Sequence, residues 1–213
     1  MQTLLLASNR TYALEIIPNI LKRPARELNF LTINTAATVE HYPAYQAKHR
    51  SRLAAAGYHY EEYDLAGRSP RDMHMHLLGR DVIFLSGGNT FYLMKCIRES
   101  GFGDVIREAL AEGALLAGAS AGAYVMCPSI EMATWKPDRN DRDRFGVTDF
   151  SGLGLVSFLV TAHYTPDLAP VLKPAIARAT YPVRILADGQ ALLVRDREVT
   201  FMGTTPEVHL DPQ

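Results

Sequence analysis

Cysteine is scarce in this chain of 213 residues: there are two, Cys96 and Cys127. Two cysteines give no disulfide framework, and a reducing cytoplasm is the simplest home for such a chain. Long apolar runs are missing too. No stretch approaches the ~20 residues needed to cross a bilayer, so no membrane association is expected. The start, Met1-Gln2-Thr3-Leu4-Leu5-Leu6-Ala7-Ser8, has no basic lead and soon turns polar; it reads as a first strand, not a signal peptide. Nor is there an excess of charge: 22 Lys and Arg oppose 23 Asp and Glu, a formal net charge of −1. That balance argues against a dedicated nucleic-acid surface and favours small-molecule or peptide substrates. Repeats, low-complexity tracts and long Gly/Ser linkers are absent as well. Residues 1–213 are therefore expected to form one domain, and 47% hydrophobic residues are enough for a sizeable core.

What is present is an alternation of strand-length apolar runs with helix-period segments. Strands are expected at Thr3–Ala7, Asn29–Asn34, Tyr58–Tyr63, Asp81–Ser86 and Ala114–Gly118. Between them fall helices over Tyr12–Lys22 (interrupted at Pro18), Tyr42–Gly57, Ser69–Leu78, Asn89–Ser100 and Asp104–Glu112. This β-α-β-α order predicts an α/β fold, a mainly parallel sheet with helices on both faces. The last third differs: short strands at Leu155–Ala162, Val183–Leu186, Ala191–Arg195 and Glu198–Met202, with a helix near Leu168–Thr180. The segment Glu131–Asp149 is irregular and densely charged. It reads either as a solvated surface loop or as a flap whose arginines hold a substrate carboxylate.

Two glycine turns carry the chemistry. Gly118-Ala119-Ser120-Ala121-Gly122 follows the apolar run Ala114–Ala117, so Ser120 sits at the apex of a sharp strand-to-helix turn that pushes its hydroxyl out of the sheet. Ser86-Gly87-Gly88-Asn89-Thr90-Phe91 is a second strand-turn-helix start, with Asn89 as the helix cap. Glycines in such a loop let backbone N–H groups point at a ligand. In a hydrolase the Gly87-Gly88 pair would supply one half of an oxyanion hole and the N–H of Ala121 the other. Both turns fall where ligands bind in open α/β sheets, beyond the carboxyl ends of the strands. A plain cap at Asn89, or a packing turn at Ser120, is the structural alternative.

A nucleophilic serine needs a base, and the base an orienting acid. His163, at the end of an apolar strand and just before Pro166, faces the same edge as the elbow. His74 and His76 stand two apart on one helix, the wrong spacing for a metal pair; no metal site is expected. Asp188, in Ala187-Asp188-Gly189, follows a strand and is a candidate acid, although Asp-Gly is also an ordinary turn signal. Asp138, Asp141, Asp143 and Asp167 are its rivals. Cys127 and Cys96 read as core residues.

Phe84–Phe91, Gly118–Ala123 and His163, taken together, resemble the peptidase E (aspartyl dipeptidase) family of serine peptidases, with cyanophycinases as distant relatives. The similarity runs in motif order over nearly the whole chain. It implies a three-layer fold like that of the class I glutamine amidotransferases, and hydrolysis of short peptides, in the best-known members after an N-terminal aspartate. It implies no metal and no cofactor. By position, Ser120 would be the nucleophile, His163 the base, and Gly88 and Ala121 the oxyanion donors. Asp188 matches a Pro-Glu-Gly turn of the family, with aspartate for glutamate. Two departures stand out. Some members carry an acid fifteen residues beyond the serine, where this chain has Trp135. The family's aspartate-holding segment after the histidine is also missing; Asn89, Arg139, Arg142, Arg144 and Arg178 are the substitutes considered for substrate binding. A homodimer or higher homo-oligomer is compatible with the resemblance. An esterase or amidase acting on a non-peptide substrate, or an inactive binding domain of the same fold, is the alternative.

Overall fold

The computed structural model describes residues 2–39, 43–136 and 142–210. In chain order the elements are β1 (Thr3–Ala7), α1 (Arg10–Leu21), β2 (Phe30–Ile33), α2 (Thr35–Thr38), α3 (Pro43–Ala55), β3 (Tyr60–Tyr63), α4 (Pro70–Leu77), β4 (Val82–Leu85), α5 (Thr90–Ser100), α6 (Phe102–Ala111), β5 (Leu115–Ala119), α7 (Ala121–Tyr124), β6 (Leu159–Thr161), α8 (Ala169–Arg178), β7 (Val183–Ile185), β8 (Gln190–Arg195) and β9 (Glu198–Gly203). Short 3-10 turns add Ala25–Glu27, Glu131–Thr134, Arg142–Phe145 and Pro166–Leu168.

The main sheet runs β3-β2-β4-β5-β1-β8-β9. Its first five strands are mutually parallel, whereas β8 and β9 are antiparallel additions at one edge. Successive side chains point to opposite faces. Leu4 and Leu6 join the apolar cluster with α4, α5, α6 and α7, while Leu5 and Ala7 join the cluster with α1 and α3. A strand buried on both faces reads as a continuous apolar run, as in Leu4-Leu5-Leu6 and Val82-Ile83-Phe84-Leu85. The predicted mainly parallel sheet with helices on both faces is what forms. A separate parallel pair, β6 and β7, completes the last third. Among the described residues, no helix is long and apolar enough to cross a membrane.

Several departures from the sequence reading have local causes. Helix α1 runs through Pro18 without interruption. Proline at that place removes the N–H that would have bonded Leu14 O, and the buried Tyr58 hydroxyl donates to that carbonyl instead, at 2.7 Å. The helix after Ser120 is a single turn that stops short of Cys127. Pro128 disfavours helical backbone at Cys127, and the carbonyls of Val125, Met126 and Cys127 accept N–H groups from Leu153, Leu155 and Gly154. That docking keeps residues 153–155 out of any sheet, so the strand expected over Leu155–Ala162 shrinks to β6. Cys127 is nonetheless wholly buried.

The glycines of the two turns are there for space. A Cβ on Gly122 would lie 2.1 Å from Leu85 O, and one on Gly118 would lie 2.4 Å from Gly122 O. The elbow thus rests directly on the backbone of β4. Gly122→Ala should force β4 and the elbow apart, an overpacking cost of about 3 kcal/mol, equivalent to roughly 6–12 °C in Tm for a chain of this size. Gly79→Ala, at a left-handed position with open space around it, should cost only about 1 kcal/mol. Thermal melts of the two variants check the contrast.

Candidate active site

Ser120 follows β5 directly, with φ 53 and ψ −112. Positive φ in a residue other than glycine costs about 1–3 kcal/mol and persists only where the surroundings over-determine it. Four such residues occur in the described chain: Lys22, Ser120, His163 and Asp196. Lys22 ends α1 and Asp196 sits in the β8–β9 hairpin turn, ordinary places for that conformation. Ser120 and His163 have no such excuse, and both are candidate catalytic residues. The Ser120 N–H still bonds Ala7 O at 3.1 Å, so the strained apex stays tied to the end of β1. The hydroxyl makes no cap hydrogen bond to α7.

The second glycine turn lies beside the elbow, at the carboxyl end of β4. Gly88 is exposed, with φ 145, and a Cβ on it would lie 2.2 Å from Ala36 O. The element that presses against it is α2, a short helix without a sequence signal strong enough to be foreseen. The Asn89 N–H is committed to Ala36 O at 2.8 Å, and its side chain accepts from Tyr92 N at 2.9 Å as the cap of α5. Asn89 therefore does the structural work assigned to a cap. Ala121 is the first residue of α7, and a first-turn N–H has no acceptor within its own helix.

His163 and Asp188 leave the carboxyl ends of neighbouring parallel strands, β6 and β7. His163 Nδ1 lies 2.7 Å from Asp188 Oδ1. A carboxylate only accepts, so Nδ1 carries the proton and Nε2 of the neutral ring is left as the basic nitrogen. Asp188 is exposed on one side, and its Oδ1 is turned inward. Partial burial alone would raise its carboxyl pKa. Hydrogen bonds from Ser8, from His163 and from the Asn9 side chain, with the attraction of His163, outweigh that effect and hold it below the ordinary aspartate range.

Ser8 is the residue that the sequence reading missed. It is fully buried one step beyond β1. Its hydroxyl donates to Asp188 Oδ1 at 2.8 Å and accepts the His163 N–H at 2.8 Å. Ser120 and His163 thus bond to consecutive residues, Ala7 and Ser8, at the end of a single strand. The register makes this so: Ala7 faces Ala119 on β5 and Ala191 on β8. The next residues outward are Ser120 on one side and the turn carrying Asp188 on the other.

Ala162, just before the histidine, is clamped as well. Its N–H donates to Tyr124 Oη at 3.0 Å, and its carbonyl accepts from the buried Lys136 ammonium. Trp135, at the place where the resemblance has an acid, packs against the core. A Ser or a Lys that bonds residues far along the chain carries no local pattern, which is why neither was foreseen.

The proposed substrate arginines fare unevenly. Arg139 lies outside the described residues, as do the side chain of Arg142 and the rival acids Asp138 and Asp141. Arg144 is exposed and donates to Val39 O at 3.4 Å. Arg178 is exposed in the last turn of α8. The described parts of the charged segment are more than a solvated loop: Met132, Ala133 and Val147 are buried, and Phe145 lies against Tyr92 of α5. Other histidines are engaged elsewhere: His49 with Thr32, His74 with Glu108, His76 with Glu61. Burial pushes the Cys127 thiol up to about 12 and raises that of Cys96 as well, so neither is a ready nucleophile. Among the described residues, no group of three or more His, Cys, Asp or Glu is placed to hold a metal ion.

The model of peptidase family S51 matches residues 4–202. The chain belongs to this family. It is a serine-type peptidase, and the resemblance read from the two glycine turns and His163 is borne out. Peptidase E of Nostoc sp. is 31% identical over 175 residues, covering 78% of this chain and 67% of that protein. An uncharacterized peptidase of Listeria monocytogenes is 31% identical over 173 residues, covering 78% and 82%. A crystal structure of a Listeria monocytogenes EGD-e protein, described as a candidate peptidase E, superposes with a TM-score of 0.82 at 26% identity, covering 96% of this chain and all of that one. A peptidase from an acI-B1 actinobacterium, at 20% identity and a TM-score of 0.67, shares the fold.

The lowered Asp188 pKa has a sign that can be measured. A depressed carboxyl pKa contributes stability that is full above the ordinary value of about 3.9 and is lost as the pH falls through the lowered value. The stability gap between the native S51 chain and Asp188→Asn should close as the pH falls from about 5 toward acid. Urea midpoints across that range check it; a gap that widens below about pH 4 would contradict an ionised Asp188 held by these hydrogen bonds.

Proposed function

We propose that this S51 chain hydrolyses short peptides, dipeptides first among them, through Ser120, His163 and Asp188. His163 Nε2 takes the hydroxyl proton as Ser120 Oγ attacks the scissile carbonyl. The N–H groups of Gly88 and Ala121 receive the oxyanion. His163 then gives the proton to the leaving amine, and water, activated by the same nitrogen, releases the acyl group from Ser120. Asp188 holds the ring in the tautomer that leaves Nε2 basic and stabilises the imidazolium that forms. The observation that carries this reading is the 2.7 Å pair of His163 and Asp188, anchored on the same strand end as the strained Ser120 elbow. An acyl-enzyme mechanism of this kind needs no metal and no cofactor. Because relatives are named peptidase E, dipeptides with an N-terminal aspartate head the substrate panel.

Ser120→Ala should lower kcat by roughly 10⁶-fold and Asp188→Asn by roughly 10⁴-fold. A fluorophosphonate probe should label the native protein and not Ser120→Ala. Near-full dipeptidase activity in Ser120→Ala would end this mechanism. Turnover of small esters without turnover of any dipeptide would assign the site to a non-peptide substrate. An unlabelled native protein would make the chain a binding domain.

A further inference from the structure

We propose that Ser8 is a positioning residue, a single buried hydroxyl that locks the backbone of the base to the carboxylate of the acid; the proposal rests on the Ser120–His163–Asp188 reading above. Its hydrogen bonds have only one consistent direction. A peptide N–H can only donate, so the His163 N–H gives its proton to Ser8 Oγ at 2.8 Å. An ionised carboxylate can only accept, so the single hydroxyl proton must go to Asp188 Oδ1, also at 2.8 Å. Rotation of the hydroxyl offers no alternative partner as good as a charge, because hydrogen bonds to ionised groups are roughly twice as strong as neutral ones.

The same Oδ1 also meets His163 Nδ1 at 2.7 Å. Ser8 therefore closes a ring that runs from the histidine backbone, through the hydroxyl and the carboxylate, to the histidine side chain. Both ends of one residue are held: the backbone by Ser8, the imidazole by the carboxylate that Ser8 also holds.

That arrangement answers a specific need. His163 has φ 56, a conformation that its own chain does not favour and that its neighbours must enforce. Ala162 is fixed by Tyr124 and Lys136, and the Tyr164 N–H by Leu186 O at 3.0 Å. Ser8 supplies the bond at His163 itself. Asp188 stands in an exposed turn on the other side, where a short side chain has room to rotate. Ser8 aims its inner oxygen, and the Asn9 side chain also bonds the carboxylate. Ser8 in turn cannot shift, because it is fully buried and its N–H bonds Gln190 O at 3.0 Å.

A catalytic group misplaced by about 1 Å loses roughly 10²-fold in rate. Ser8→Ala should therefore lower kcat by roughly 10²-fold with KM unchanged, and slow fluorophosphonate labelling of Ser120 by a similar factor. Ser8→Thr, which keeps the hydroxyl, should restore both. Ser8→Cys, close in size but a weak donor and acceptor, should stay impaired; it decides the matter if the alanine variant does not fold. Ser120→Ala is run alongside. Folded Ser8→Ala and Ser8→Cys enzymes within about twofold of native kcat, with Ser120→Ala inactive, would overturn the role of Ser8 alone. Activity or labelling retained in Ser120→Ala would overturn the reading of the site on which the role depends. A loss in Ser8→Cys that appears only in KM would also count against positioning, since ground-state binding would then be what Ser8 serves.

Discussion

The carboxyl end of β1 is the constraint on which the candidate site hangs. Ala7 O receives the Ser120 N–H, and Ser8 receives the His163 N–H while donating to Asp188. Three elements that are distant in sequence thus converge on two adjacent residues. The central position of β1, parallel to β5 on one side and antiparallel to β8 on the other, lets one strand serve both halves. An edge strand has only one partner to offer.

Close packing supports that convergence from below. The elbow rests on the Leu85 carbonyl because Gly122 has no side chain, and α2 rests on Gly88 for the same reason. Neither contact adds a bond to the site. Each brings backbone closer than any other residue type allows, which places the Gly88 turn and the Ser120 apex side by side along the sheet edge. The strain at Ser120 and His163 is then borne by a rigid frame of buried strands, and strained residues persist only within such a frame.

Much of this was legible in the sequence. Four of the five parallel strands, β1, β2, β4 and β5, announce themselves as largely apolar runs, and the elbow as glycines around a serine. His163 declares itself as a polar residue at a strand end, and Asp188 as an acid in the following turn. What stayed hidden depends on distance along the chain. Ser8 reads locally as the first polar residue after a strand; its role is visible only once residues 155 and 180 positions away stand beside it. Pro18 reads as a helix breaker until Tyr58 arrives to satisfy Leu14. Residues 153–155 read as the start of a strand until they dock on the carbonyls after α7. In each case a local rule was right about the local cost, and a remote partner removed it.

The antiparallel seam between β1 and β8 has a temporal meaning. The five parallel strands of the main sheet precede Ser120, whereas the candidate base and acid follow it and stand beside Ser8 next to the strand β8 that pairs with β1. Synthesis from the N-terminus therefore delivers Ser120 well before His163 and Asp188. In this order of synthesis the elbow precedes, by more than forty residues, the candidate base and acid that the end of β1 holds beside it.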